Sequence, residues 1–167
     1  MGLGIAWLIW SLGVRRSRRE GVIALALLWG SLMFLASAGS VMTDMALSLA
    51  ITISMRAFWL TAYGEEKERS RERWLFFVGL ALGLLAKGPI ALVLVLLPTG
   101  LWTILSGQTG LILPRFPWLR GLLLTLLIAL PWYLLAEQRT PGFLDYFLLG
   151  EHWHRFVTPG WDGDRYG

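Results

Sequence analysis

The chain has 167 residues, of which 56% are hydrophobic and only 16% charged, with a net charge of +4 and no cysteine. A soluble domain carries about 25% charge, so the shortfall, together with apolar runs near 18 residues long, excludes an ordinary soluble fold and points to membrane helices. The missing cysteine excludes disulfides and thiolate metal sites, and the modest positive charge sits in short loops instead of forming a nucleic-acid surface.

The first apolar stretch, Met1 to Val14, is short for a full span, and its basic residues follow the run where a signal peptide would have them first. It reads as part of a helix in a longer protein. Arg15, Arg16, Arg18 and Arg19 form a basic turn assigned to the cytoplasmic side. Gly21 to Ala38 is expected to cross outward, reaching the outer connection Gly39 to Asp44. Met45 to Tyr63 returns inward to a mixed-charge loop, Gly64 to Arg73. Trp74 to Ala86 crosses outward to Lys87-Gly88-Pro89, and Ile90 to Leu105 returns inward with Pro98 as an expected kink. Ser106 to Arg120 reads as a Gly/Pro-rich inner loop, Gly121 to Leu135 crosses outward, and Ala136 to Gly167 forms an outer tail. Gly142 to Leu149 is expected to lie as a short interfacial helix anchored by Phe143, Tyr146 and Phe147.

The predicted fold is therefore an all-α polytopic bundle with five full spans and one partial span. Residues 1–167 form one transmembrane domain, divided into spans and loops (1–135) and an outer segment (136–167). The basic residues support this orientation. Arg15, Arg16, Arg18, Arg19, Lys67, Arg69, Arg71, Arg73, Arg115 and Arg120 fall inside, against Lys87, Arg139, Arg155 and Arg165 outside. Gly79 and Gly83 make a small-xxx-small face, read as helix packing. The ten tryptophans are read as interfacial markers, and Asp162-Gly163-Asp164 as an exposed loop.

On this topology Asp44, Lys87 and the cluster Glu151–Arg155 share the outer side. Ionisable groups at membrane depth are costly, which makes each a candidate for function. Asp44 is either a site carboxylate or, with Thr43, a helix cap. Lys87 is the sole charge between Trp74 and Arg115. Either it snorkels from a helix end, or the break at Gly88-Pro89 turns its ammonium toward an anion such as phosphate. Arg155 is suited to bidentate phosphate contact, His152 to proton transfer, phosphate donation or metal binding, and Glu151 to orienting His152 or holding a cation. His154 falls on another helical face and is not assigned to the site. Against these stand interfacial anchoring of the whole cluster, and a transporter or flippase segment. The latter is disfavoured because the charges lie near helix ends and not at mid-membrane.

The ordered segments Met42-Thr43-Asp44, Gly83 to Pro89 (GLLAKGP), Leu130 to Tyr133 (LPWY), Pro141 to Phe147 (PGFLDYF) and Glu151 to Phe156 (EHWHRF) resemble the bacterial aminoarabinose lipid A transferase-like glycosyltransferases. These are similar to the protein O-mannosyltransferases. The resemblance covers nearly all of this chain but only the middle of a family member. It implies an inverting transferase of the inner membrane that takes a pentosyl or hexosyl group from a polyprenyl-phosphate donor. Delivery is to a lipid, such as a lipid A phosphate, or to a protein hydroxyl on the periplasmic face. In that reading Lys87, His152 and Arg155 bind the donor phosphate, Glu151 supports them, and Asp44 is an accessory catalytic carboxylate. The acidic pair of the family's first periplasmic loop is absent here, so the chain alone is expected to be inactive. A divalent cation is left open, and no other cofactor or nucleic-acid partner is implied.

Overall fold

The computed structural model describes residues 1–38 and 43–147. Helices follow one another as α1 (Gly2–Gly13), α2 (Arg18–Gly30), α3 (Leu32–Ala38), α4 (Thr43–Tyr63), α5 (Glu66–Lys87), α6 (Ile90–Leu105), α7 (Thr109–Ile112), a 3-10 turn (Leu113–Arg115), α8 (Trp118–Arg139) and α9 (Phe143–Asp145). No strand occurs among the described residues, so the all-α expectation holds. Among the described residues two helices, α4 and α8, are long and apolar enough to cross a membrane. A third span results if α6 and the segment Thr109–Arg115, bent from it by 119°, are taken together. The chain is that of a membrane protein, with two or three spans recognisable by length and composition among the described residues.

Local chemistry explains where the helices differ from the expected spans. Ser17 caps α2 by accepting from the Glu20 amide at 3.1 Å, and Glu20 is placed three residues on as in a capping box, so the basic turn passes directly into helix. The expected span Gly21–Ala38 is broken at Ser31, whose extended backbone ends α2 and whose hydroxyl accepts from the Phe34 amide at 3.3 Å to start α3. Of the expected mixed-charge loop 64–73, only Gly64 and Glu65 lie outside helix; from Glu66 on the stretch is the start of α5. Its glutamates, arginines and lysine are good helix formers, and Arg69 pairs with Glu66 one turn away at 2.5 Å. The apolar part of α5, Trp74 to Lys87, is consequently only about 21 Å long, short of the roughly 30 Å hydrocarbon core. The expected loop 106–120 is also structured. It folds back, burying Ile112 and Phe116.

The core lies where α4, α5, α6 and this returning segment meet. It contains Ala57, Phe58, Phe76, Phe77, Leu80, Val95, Ile112 and Phe116. Phe116 stacks on Phe58 with centroids 5.8 Å apart and meets Phe76 edge-on at 5.1 Å, the arrangements that aromatic quadrupoles favour. Arg115 also donates to the Ala62 carbonyl near the end of α4, where a cation complements the helix dipole.

Small residues set the helix spacings. A Cβ on Gly79 would lie 3.0 Å from the Ala50 carbonyl oxygen and against the Ser54 hydroxyl. One on Gly83 would lie 2.7 Å from the Ala91 Cβ. The two glycines therefore let α5 approach α4 and α6, the packing role expected for them. On α8, Gly121, Thr125 and Ala129 are buried at four-residue spacing. A Cβ on Gly121 would collide with the Phe77 ring, and Thr125 donates to the Phe77 carbonyl at 3.0 Å.

Candidate functional site

α4 and α5 run antiparallel, so the start of one lies beside the end of the other. Asp44 is in the first turn of α4 and Lys87 is the last residue of α5. Their side chains form an ion pair between Asp44 Oδ1 and Lys87 Nζ. Neither group is deeply enclosed: the side chains are 48% and 45% exposed. A carboxylate in a first turn and an ammonium in a last turn each oppose the local helix dipole favourably. The pair closes the α4–α5 packing at this end.

The backbone beyond Lys87 breaks as its sequence requires. Gly88 has φ 73° and ψ −154°, a region essentially restricted to glycine, and its amide bonds to the Leu84 carbonyl at 2.8 Å. Pro89 then opens the turn into α6, where its missing amide proton costs nothing. Lys87 is thereby held at a helix end with the chain turning sharply away from it.

The same end of the molecule receives the C-terminal part of α8. Tyr133 donates its hydroxyl to the Leu84 carbonyl at 2.7 Å. Glu137 accepts from the amides of Gly142 and Leu144 at 2.9 and 2.8 Å, fixing the turn into α9. Gly142 takes a left-handed conformation there, with φ 90°. Within the expected interfacial helix 142–149 the structure has the short helix Phe143–Asp145, with helical backbone at Tyr146, while residues 148 and 149 lie outside the described residues. Phe143 and Phe147 stack at 5.4 Å, and Trp132 meets Phe143 edge-on at 5.6 Å.

Of the candidate site residues, the structure thus brings Asp44 and Lys87 into contact. Glu151, His152 and Arg155 lie outside the described residues, as do His154, residues 39–42 of the expected outer connection and the 162–164 loop. No three histidine, aspartate or glutamate side chains converge to hold a metal ion among the described residues.

One charged pair escaped the sequence reading. Arg56 lies in the middle of α4, and its Nη1 sits 3.0 and 3.1 Å from the two oxygens of Glu72 on α5. Only 10% and 3% of these side chains are exposed. Arg56 Nε donates to the Ser11 hydroxyl of α1 at 3.1 Å, and Arg71 adds a second guanidinium to Glu72 at 3.2 Å. The expectation that the charges lie near helix ends is corrected by this pair. The available signal was an arginine inside an otherwise apolar helix. A cavity of about 410 Å³ beside Arg56 is lined chiefly by apolar groups, among them Leu12, Ile51, Met55, Trp59 and Trp102. Neither Asp44 nor Lys87 reaches it.

Farther from the Asp44–Lys87 end, Arg15 Nη1 donates to Glu68 Oε2 at 2.7 Å. This hydrogen-bonded guanidinium holds the Glu68 carboxyl below its ordinary value and raises the arginine's own.

The fold is that of a helical membrane protein, with a carboxylate and an ammonium paired at a glycine-broken helix end. Comparison with known proteins narrows that class. Residues 3–147 match the family described as Dolichyl-phosphate-mannose-protein mannosyltransferase, and the chain belongs to that family. It is 30% identical over 156 residues to the undecaprenyl phosphate-alpha-4-amino-4-deoxy-L-arabinose arabinosyl transferase of Yersinia enterocolitica. That match covers 92% of this chain and 26% of the relative, so the chain spans about a quarter of the relative's length. No solved structure matches it.

Proposed function

We propose that the protein is a membrane glycosyltransferase that moves a sugar from a polyprenyl-phosphate donor to a lipid or protein acceptor. The observation that carries this reading is the meeting of Asp44 and Lys87 where α5 breaks at Gly88, in a chain of this family. The relative's name specifies an undecaprenyl phosphate-linked aminoarabinose donor, which supports a lipid-phosphate leaving group. An ammonium at a helix end is suited to stabilise charge developing on that phosphate oxygen as the glycosidic bond breaks. Lys87, His152 and Arg155 are assigned to the phosphate, with Glu151 supporting them. Asp44 holds the Lys87 ammonium in place and is the accessory carboxylate. Attack of the acceptor oxygen at the anomeric carbon inverts its configuration, and the lipid phosphate leaves.

The accompanying topology is five spans and one partial span in a bacterial inner membrane, with residues 136–167 on the periplasmic side. The basic residues between the apolar runs support it, with the second crossing bent at Ser31 and the α5 crossing shorter than the others. Residues 1–167 then form one membrane domain that acts within the longer protein.

The test uses the full-length protein, reconstituted with a polyprenyl-phosphate sugar and a lipid acceptor. Lys87→Ala and Arg155→Ala are each expected to lower transfer by about 10²-fold or more, the scale for losing one group that stabilises a developing oxyanion. Undiminished transfer in both variants sinks the phosphate assignment.

A further inference from the structure

The last turn of α5 leaves carbonyl oxygens without intrahelical donors, and one of them is served from two directions. The Leu84 oxygen accepts the Gly88 amide at 2.8 Å and the Tyr133 hydroxyl at 2.7 Å. The first bond belongs to the helix terminus itself. The second comes from α8 and tethers the end of α5 sideways, three residues before Lys87.

Tyr133 continues the stripe Gly121, Thr125 and Ala129 by one further four-residue step, so it projects from the α8 face packed on α5. Thr125 makes the same kind of bond two turns lower, to the Phe77 carbonyl. The Tyr133 ring also faces the other way along the fold. It packs on Phe147 with centroids 5.9 Å apart, and Phe147 lies four residues before Glu151. One side chain therefore touches both the helix end that carries Lys87 and the segment leading to residues 151–155.

We propose that Tyr133 is a positioning residue that fixes the Lys87 ammonium for a phosphate ligand, through its hydroxyl on Leu84 and its ring on Phe147. The proposal rests on the assignment of Lys87 to phosphate made above. Removing the hydroxyl leaves Leu84 bonded to Gly88 and leaves the ring packed on Phe147, so the helix and the fold persist while the lateral tether is lost.

The experiment measures the affinity of the full-length protein in detergent for farnesyl phosphate. Four variants are compared with the wild type: Tyr133→Phe, Lys87→Gln, the two combined, and Thr125→Val. Tyr133→Phe is expected to weaken binding about fivefold, the scale of one net hydrogen bond. Lys87→Gln is expected to weaken it about tenfold or more, as for a bond to a charged group. The double variant should bind no more weakly than Lys87→Gln, because the tether acts through the lysine. Thr125→Val loosens the same helix pair away from the site and should leave affinity within about twofold. The positioning role is overturned if Tyr133→Phe binds like the wild type, if the two losses multiply, or if Thr125→Val weakens binding equally. Wild-type affinity in Lys87→Gln overturns the phosphate assignment instead.

Discussion

Arg56 on α4 and Glu72 on α5 form a nearly buried two-oxygen ion pair, which Ser11 joins to α1 and which Arg71 completes. Within a low-dielectric bundle, removing one partner strands the other charge, whereas replacing both removes the desolvation cost as well. Arg56→Met alone is therefore expected to destabilise the protein by roughly 3–5 kcal/mol. Combined with Glu72→Leu, much of that loss should be recovered. Unfolding of the full-length protein in detergent measures both. A single variant as stable as the double would show that the pair contributes no such coupling.

The Asp44–Lys87 pair presents the opposite case. About half of each side chain is exposed, and exposed pairs contribute about 0–1 kcal/mol. Asp44→Asn should leave the unfolding midpoint nearly unchanged. It should nevertheless lower sugar transfer, because the carboxylate that pairs with the Lys87 ammonium loses its charge. If stability falls and transfer does not, the pair is structural.

Gly121 faces the Phe77 ring with no room for a methyl group. Gly121→Ala is expected to cost about 1–3 kcal/mol by forcing α8 away from α5. Gly110, which has open space around its missing side chain, provides the control, with Gly110→Ala expected to change stability little. Thermal unfolding of the two variants side by side distinguishes specific packing from a general effect of losing glycine.

Glu68 has its carboxyl lowered chiefly by the hydrogen bond from Arg15, which opposes the effect of desolvation. A carboxyl whose folded value lies below its unfolded one contributes stability above the unfolded value and loses it as pH falls through the folded value. The contribution is thus present above the ordinary glutamate value of 4.5 and disappears in more acidic solution. The stability gap between wild type and Glu68→Gln should be constant near neutral pH and close below it. A gap that widens on acidification contradicts the assignment. Salt should shrink it, since both groups are about a third exposed.

Glu137 accepts two backbone amides at the turn after α8. Glu137→Ala should free those amides and speed hydrogen exchange across residues 141–147, leaving α8 itself protected. Unchanged exchange in that segment would argue that the aromatic stack of Phe143 and Phe147 fixes the turn without the carboxylate.

Hydropathy alone identified α4 and α8, because a run of apolar residues needs no partner to declare that it avoids water. The break at Gly88 was equally legible, since a Lys-Gly-Pro sequence ends a helix by local sterics. The family was legible in short ordered segments, and it is the one the comparison shows. Other features depended on contacts distant in the chain. Phe116 and Ile112 are core residues only because the segment after α6 turns back onto α5, which nothing in a Gly/Pro-rich stretch announces. The helical state of most of the charged stretch 64–73 is not legible in the sequence, because charge marks exposure but does not distinguish coil from helix. Placing Asp44 and Lys87 on one side followed from counting spans. Their contact, the pairing of Arg56 with Glu72 and the Tyr133 bond to Leu84 were decided by the tertiary structure, because each requires the helix separation and rotation that buried glycines and small side chains set.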